Sequence, residues 1–257
     1  MTDFRLRREE RLDADGLKAM LDESPTRAAQ AILLGAREGV LEAQALLGQI
    51  LLDGHGIAQD PELAMRWFAI AAGRGHLMAR NMLGRCHEHG WGCPADVSLA
   101  AGHYRLAAEA GLDWAMYNYA NLLATGRGVP PDQSQALSLY RRAAELGHAK
   151  SMNLLGRYLE EGRYCPADPV AARQWYRRSA EGGDFRGQFS YGSVLVAAGN
   201  LEEGMAWLRR AVEAGNLNFL QVAARNLSQA RLPGLRQLVE VCHARIAELN
   251  EPVRNKG

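Results

Sequence analysis

The chain has 257 residues, 47% of them hydrophobic, and its 30 Lys and Arg are offset by 29 Asp and Glu. That balance gives no global field of the kind that gathers nucleic acid or an anionic membrane surface. Four cysteines are too few for a disulfide scaffold, and no stretch approaches the roughly 20 apolar residues a membrane span needs. The expectation is a soluble, cytoplasmic chain that needs no cofactor.

Residues 1–24 are read as an N-terminal arm and capping segment. Arg5, Arg7, Arg8 and Arg11 have no apolar run behind them, unlike a secretory signal, and Glu9 and Glu10 are acids that a transit peptide avoids. A helix from Pro25 to Glu38 then opens a pattern that governs most of the chain. Gly48, Gly84, Gly156 and Gly192 fall on a 36-residue period, with Ala120 at the missing step. Leu47, Leu83, Tyr119, Leu155 and Tyr191 precede these positions, and Gly54, Gly90, Gly126, Gly162 and Ala198 lie six residues after them. Asp60, Asp96, Asp132 and Asp168 follow. Self-similarity at this period means a stacked array, in which one unit cannot bury its apolar face alone.

Residues 76–111 show the unit. A first helix from about Leu77 to Glu88 carries Ala79, Leu83, Cys86 and His87 on its apolar face and stops at Gly90, suited to a left-handed cap. After the turn Gly90-Trp91-Gly92-Cys93, Asp96 caps a second helix that buries Ala100, Tyr104 and Ala107. Pro61 and Pro169 occupy the first helical position of two other second helices. Copies run over 40–75, 76–111, 112–147, 148–183 and 184–215, behind a degenerate half-copy from residue 25. The last is four residues shorter between its helices, and Asn200 with Glu203 is expected to form a capping box there. Residues 216–250 read as capping helices, with Leu235, Leu238, Val239, Cys242, Ile246 and Leu249 on one stripe, and 251–257 as a flexible tail. All four cysteines fall in apolar columns and are expected to be buried.

The columns Ala115, Tyr119, Ala120, Gly126, Gly128, Val129, Asp132, Ala136, Tyr140, Ala143, Ala144 and Gly147 resemble the Sel1-like repeat, a relative of the tetratricopeptide repeat with a longer turn. The likeness covers residues 25–215. It implies an all-α fold, a right-handed α/α superhelical solenoid, acting as a scaffold or adaptor for bacterial protein assembly. A cysteine-rich branch of that family is stapled by paired cysteines and exported; this chain lacks those pairs.

Other constellations have plainer explanations. Gly54-x-Gly56 and Gly126-x-Gly128 resemble a phosphate cradle, but the aspartate cap that follows occupies and repels at the anion site. Cys86, His87, His89, Cys93 and His103 form the densest set of metal-ligand types. His87 and His89 point to different faces, however, and His87 and His103 replace apolar residues of their columns, His103 matching Trp67, Leu139, Trp175 and Trp207. Arg105, Arg141, Arg177 and Arg209 form a ladder with Glu109, Glu145, Glu181 and Glu213 four residues on, so a solvated, ion-paired face is expected rather than a nucleic-acid track.

The first helices differ. Asn81, Arg85 and Glu88 share a flank, as do Tyr117 and Asn121, then Asn153, Arg157 and Glu160, with Phe189 in the last copy. By the resemblance this flank is the concave groove, and its amides, guanidinium groups and rings suit a protein or peptide segment. Trp91, in a turn, and Trp114, at a helix start, are further contact candidates. The leading expectation is a non-enzymatic interaction scaffold. The rivals are a metal-binding or enzymatic site in the second repeat and a helical-repeat RNA binder.

Overall fold

The period has a steric cause. In the computed structural model, which describes residues 24–230 and 232–250, a Cβ built on Gly84 would lie 2.5 Å from the Tyr104 ring. At Gly48 it would meet the Phe68 ring at 2.7 Å and at Gly156 the Tyr176 ring at 2.7 Å. Only a residue without a side chain, or the smallest one, lets the first helix of a pair settle onto the ring of the second. Phe68, Tyr104, Tyr140 and Tyr176 are each 2% exposed or less. The buried aromatic column is therefore this one. The neighbouring apolar column of Trp67, Trp175 and Trp207 is half-buried: Arg178 covers Trp175 at 4.4 Å and Arg210 covers Trp207 at 4.8 Å.

Thirteen helices form among the described residues. They are α1 Pro25–Arg37, α2 Leu41–Asp53, α3 Pro61–Gly73, α4 Leu77–His89, α5 Val97–Glu109, α6 Asp113–Thr125 and α7 Gln133–Glu145. α8 Ala149–Glu161, α9 Pro169–Glu181, α10 Phe185–Ala197, α11 Leu201–Ala214, α12 Leu217–Ser228 and α13 Pro233–Asn250 follow. The fold is all-helical, as expected. The N-terminal arm before Ser24 and the tail 251–257 lie outside the described residues. None of the described helices is long and apolar enough to cross a membrane.

Cα packing divides the chain into two compact units, and the division runs through α6. The first holds the residues up to Ala115 with Thr125–Pro130; the second holds Met116–Ala124 and everything from Pro131. In the first unit, the core gathers Ile32, Leu47, Leu51, Phe68, Leu83 and Cys86. In the second, Tyr176, Tyr191 and Leu195 form one cluster, and Leu208, Val212, Leu220, Leu238 and Cys242 form another at its C-terminal end.

Each pair is fixed at its ends. Asp60, Asp96, Asp132 and Asp168 accept from the backbone N–H three residues on at 2.8–2.9 Å, as their spacing indicates. A second set of caps lies outside the aspartate columns: His76, His148, Asp184 and Asn216 accept from Ala79, Ser151, Gly187 and Phe219 at the start of the first helices. His76, His148 and Asp184 also donate their own N–H to the carbonyl five residues back, so one residue closes a helix and opens the next. The capping box at Asn200 does not form. The three-residue turn there commits the Asn200 N–H to Leu195 at 2.9 Å, and its side chain makes no cap.

Stacking between pairs of the first unit rests on the second turn glycine. Gly92, at φ 74°, lies so close to the start of α3 that a Cβ would collide with the Pro61 carbonyl. Gly128, at φ 69°, repeats this against Val97 at 2.6 Å. Tyr164 stands at the matching position of the second unit, 52% exposed, its ring 5.8 Å from that of Tyr158. Tyr158 instead donates to Gln133 Oε1 at 2.5 Å, a side-chain bond in place of backbone contact.

The histidines of the second repeat belong to this packing. His87 and His103 stack in parallel with centroids 5.4 Å apart, and Cys93 Sγ lies 3.4 Å from His87 Nδ1. Cys86 is fully buried, which pushes its thiol up to about 11. Cys93 and Cys165, expected in the core, are half-buried at the turns, where their thiols donate to the Cys86 and Tyr158 carbonyls at 3.7 and 3.5 Å. His103 Nδ1 is buried without a hydrogen-bond partner.

Gly92→Ala adds a strained left-handed backbone, roughly 1–2 kcal/mol, to a backbone collision of about 1–3 kcal/mol, and should lower the urea midpoint clearly. Gly102→Ala, in the open interior of α5 where a Cβ meets nothing within 4 Å, should raise the midpoint, adding about 0.5–1 kcal/mol of stability. His103 titrates below its ordinary 6.5, first because of burial and then because of His87 and Arg80. The unfolded chain takes up that proton before the folded one, so stability present above pH 6.5 falls as pH drops through the folded value. His103→Leu, the residue of the same column at Leu139, should flatten the loss of melting temperature between about pH 7.5 and about pH 5.

Candidate functional site

Part of the expected binding stripe is spent on holding helix pairs together. Glu88 accepts from the Tyr104 hydroxyl at 2.8 Å and pairs with Arg127 at 3.1 Å, leaving its side chain 14% exposed. Glu160 accepts from Tyr176 at 2.7 Å in the matching position. Where Ala124 replaces that glutamate, Asn121 accepts the Tyr140 hydroxyl at 2.6 Å instead. Burial, joined by Glu88 at Tyr104, by Tyr158 and Tyr117 at Tyr140 and by Glu160 at Tyr176, pushes the three hydroxyls well above their ordinary range, so all three stay protonated donors.

In the first unit, Asn81 is buried at 2% exposure with Nδ2 against Met78 Sδ at 3.8 Å, so it is a packing residue rather than the surface residue its flank suggested. Arg85 lies over the Trp91 ring at 4.9 Å, and His89 approaches the same ring at 4.7 Å. Arg85 and Trp91, with Gln49, Leu52, Asp53, Gln59 and Pro61, line a cleft of about 320 Å³. Trp114 is 41% exposed at the start of α6. Among the described residues, no three His, Cys, Asp or Glu side chains converge as metal ligands, those of the second repeat included.

The second unit holds a further opening. Tyr117 packs between Tyr140 and His148, with centroids 6.3 and 4.9 Å away. Further along, α8, α10 and α12 enclose a cleft of about 380 Å³ into which Asn153, Arg157 and Phe189 all face, with Arg186, Ser190, Asn218, Phe219, Val222, Ala223 and Asn226. Asn153 is 9% exposed, and its Oδ1 is buried with no hydrogen-bond partner. Arg157 reaches Glu161 at 3.8 Å, a long contact between side chains that are 58% and 44% exposed. Phe189 meets Phe219 edge-on at 5.6 Å.

Three of the stripe residues thus meet at one cleft, and α12 supplies half of its wall. The sequence reading placed α12 among capping helices and missed that wall. The available signal was Asn216, which caps α12 at the position Asp184 holds in α10, 32 residues earlier. That spacing marks α12 as one more first helix.

On the outer side, Arg105 and Arg177 pair with Glu109 and Glu181 at 2.9 and 2.8 Å. Arg141 and Arg209 make no ion pair with Glu145 or Glu213, so the expected ladder forms at two of its rungs only.

Comparison with known proteins agrees with this geometry. The Sel1 repeat model matches residues 41–76, 77–112, 115–148, 149–184 and 188–216. Similar solved structures include a Sel1 repeat protein from Oxalobacter formigenes, with TM-score 0.76, 23% identity, and 92% of this chain and 99% of that one covered. A protective antigen of uropathogenic Escherichia coli with an SLR fold gives TM-score 0.66 at 24% identity, over 91% of this chain and 52% of that one. An immunity protein from Pseudomonas aeruginosa gives 0.54 at 15%, over 82% of each. No curated protein matches the chain. These likenesses show the fold, and the five matched segments, which take up more than half of the sequence, show that the chain belongs to the Sel1 repeat family.

Proposed function

We propose that this chain is a non-enzymatic scaffold that holds a segment of a protein partner against the first-helix face of its second unit. Sel1 repeats are in general protein–protein interaction scaffolds. The observation that supports a specific face is the cleft of α8, α10 and α12. Amides, guanidinium groups and rings from three successive first helices line one opening, with Arg157, Arg186, Asn218, Val222 and Asn226 exposed around it. Side chains of these types bind extended polypeptide by combining fixed hydrogen-bonding groups with apolar contact. Ser190 has no carboxylate, imidazole or amine beside it among the lining residues, so the cleft lacks the base a nucleophile needs. The four free cysteines fit a reducing cytoplasm.

A photo-crosslinking residue at Val222, 53% exposed in the cleft, should form adducts with a protein partner in the native cell, whereas the same residue at the exposed Arg173 of α9 should not. With the partner purified, Arg157→Ala with Val222→Lys should weaken binding by about 10- to 100-fold, because charge-assisted bonds are each worth roughly 1.5–3 kcal/mol. The melting temperature should barely move, since exposed positions shift stability by within about 0.5 kcal/mol. Replacing Arg141, Glu145, Arg177 and Glu181 by Ala should leave binding unchanged. The reverse pattern assigns recognition to the outer helices and ends the proposal.

A further inference from the structure

The cleft of α8, α10 and α12 does not stop at its own rim. A second opening of about 370 Å³ adjoins it, sharing Phe189 and Asn226 and adding Ser193, Val196, Leu208, Leu227 and Leu235. The two halves differ in chemistry. The first carries Arg157 and Arg186 and no acidic side chain. The second carries no charged side chain at all and is walled largely by aliphatic groups.

The charges of the first half are weakly compensated. Arg186 makes a cation–π contact with Phe185 at 4.6 Å and no ion pair, and Arg157 has only the 3.8 Å contact with Glu161. Two guanidinium groups on one opening suit carboxylates, which they hold through paired N–H donors. Asn153 lines the same half, more than nine-tenths buried, with its Oδ1 lacking any donor. A buried acceptor without a partner costs about 1–3 kcal/mol, and an incoming N–H removes that cost. A carboxylate carries no such donor at neutral pH, whereas the backbone of a peptide carries one at every residue except proline. Asn218 and Asn226, both exposed on the α12 wall, add donors and acceptors that match an extended backbone.

We infer that the joined clefts select an extended peptide of fixed polarity, with acidic side chains at Arg157 and Arg186, a backbone N–H on Asn153 Oδ1, and apolar side chains beyond Phe189. This rests on the peptide-binding reading of the first-helix face and specifies its ligand class. A peptide advances about 3.3 Å per residue, so the acidic and apolar side chains belong a few positions apart in one short segment.

Fluorescence anisotropy on the full chain with end-capped, labelled peptides tests this. One peptide carries two acidic residues followed by a Leu-Phe pair, the second has amides for the acids, the third has serines for the apolar pair, and a fourth keeps the amides but ends in a free carboxylate. The first should bind at least about tenfold tighter than the others at low salt. Arg157→Ala with Arg186→Ala should erase its advantage over the amide peptide, whereas Asn153→Ala should weaken every peptide alike without lowering the melting temperature. If the first two peptides bind equally, and Val222→Lys still weakens both, the acidic preference is wrong while the peptide-binding face stands. If no peptide responds to any cleft variant, both fall. Tighter binding of the fourth peptide, or displacement of the first by inorganic phosphate at equal concentration, would make this a site for a chain terminus or a free anion and overturn the inference.

Discussion

The contact on which the rest depends is the seat of one helix on the aromatic ring of its partner. Gly84 against Tyr104 sets the separation of α4 and α5, and the same relation holds at Gly48 with Phe68 and Gly156 with Tyr176. A ring pressed onto bare backbone makes many dispersion contacts and excludes water over a large area, which is how short helices gain the burial they lack alone. It also places the tyrosine hydroxyl at the far flank of the first helix, where Glu88, Asn121 or Glu160 receives it. The polar stripe that reads as a binding surface is therefore partly a product of packing. A tyrosine in the core needs an acceptor, and the first-helix flank is where an acceptor can stand.

This explains why the fold was legible in the sequence and the site only in part. Spacing records steric rules: the missing Cβ at Gly84, the left-handed turn at Gly90 and Gly92 and the carboxylate cap at Asp96 each permit few residue types, so they recur visibly. The caps of the first helices were harder to see because His76, His148, Asp184 and Asn216 do one job with three residue types. The stripe was harder still. A flank at i and i+4 shows which residues share a side, but Asn81 and Arg157 occupy that same side with opposite fates, one sealed by packing and the other exposed. Depth is a property of neighbouring helices, and no periodicity within one helix carries it.

The shortened last copy shows how a local change shapes the surface. With three residues instead of seven between α10 and α11, the turn engages the Asn200 N–H with Leu195 and has no room for the second glycine that the first unit stacks on its preceding helix. α12 then enters as a first helix whose partner, α13, runs to 18 residues and packs its Leu235, Leu238 and Cys242 into one cluster with Leu208 and Leu227. Val196, half-buried, lines an apolar cleft whose floor is formed by the buried Leu208 and Leu227. An irregularity in the repeat thus becomes an apolar surface beside the guanidinium groups of Arg157 and Arg186.

Asn153 is the point where packing and recognition conflict. In its column, Asn81 is sealed, while Tyr117 and Phe189 present rings, and any of these satisfies the fold. A buried amide with an unpaired oxygen does not: it costs stability that an alanine or a ring would return. His103 Nδ1 and Gln188 Oε1 are also buried without a partner, but Asn153 differs from them in lining the cleft. Such positions persist where a binding partner supplies the missing bond, because the cost in the free protein then becomes affinity in the complex. The orphaned oxygen belongs to a residue that lines the same cleft as the weakly compensated guanidinium groups of Arg157 and Arg186.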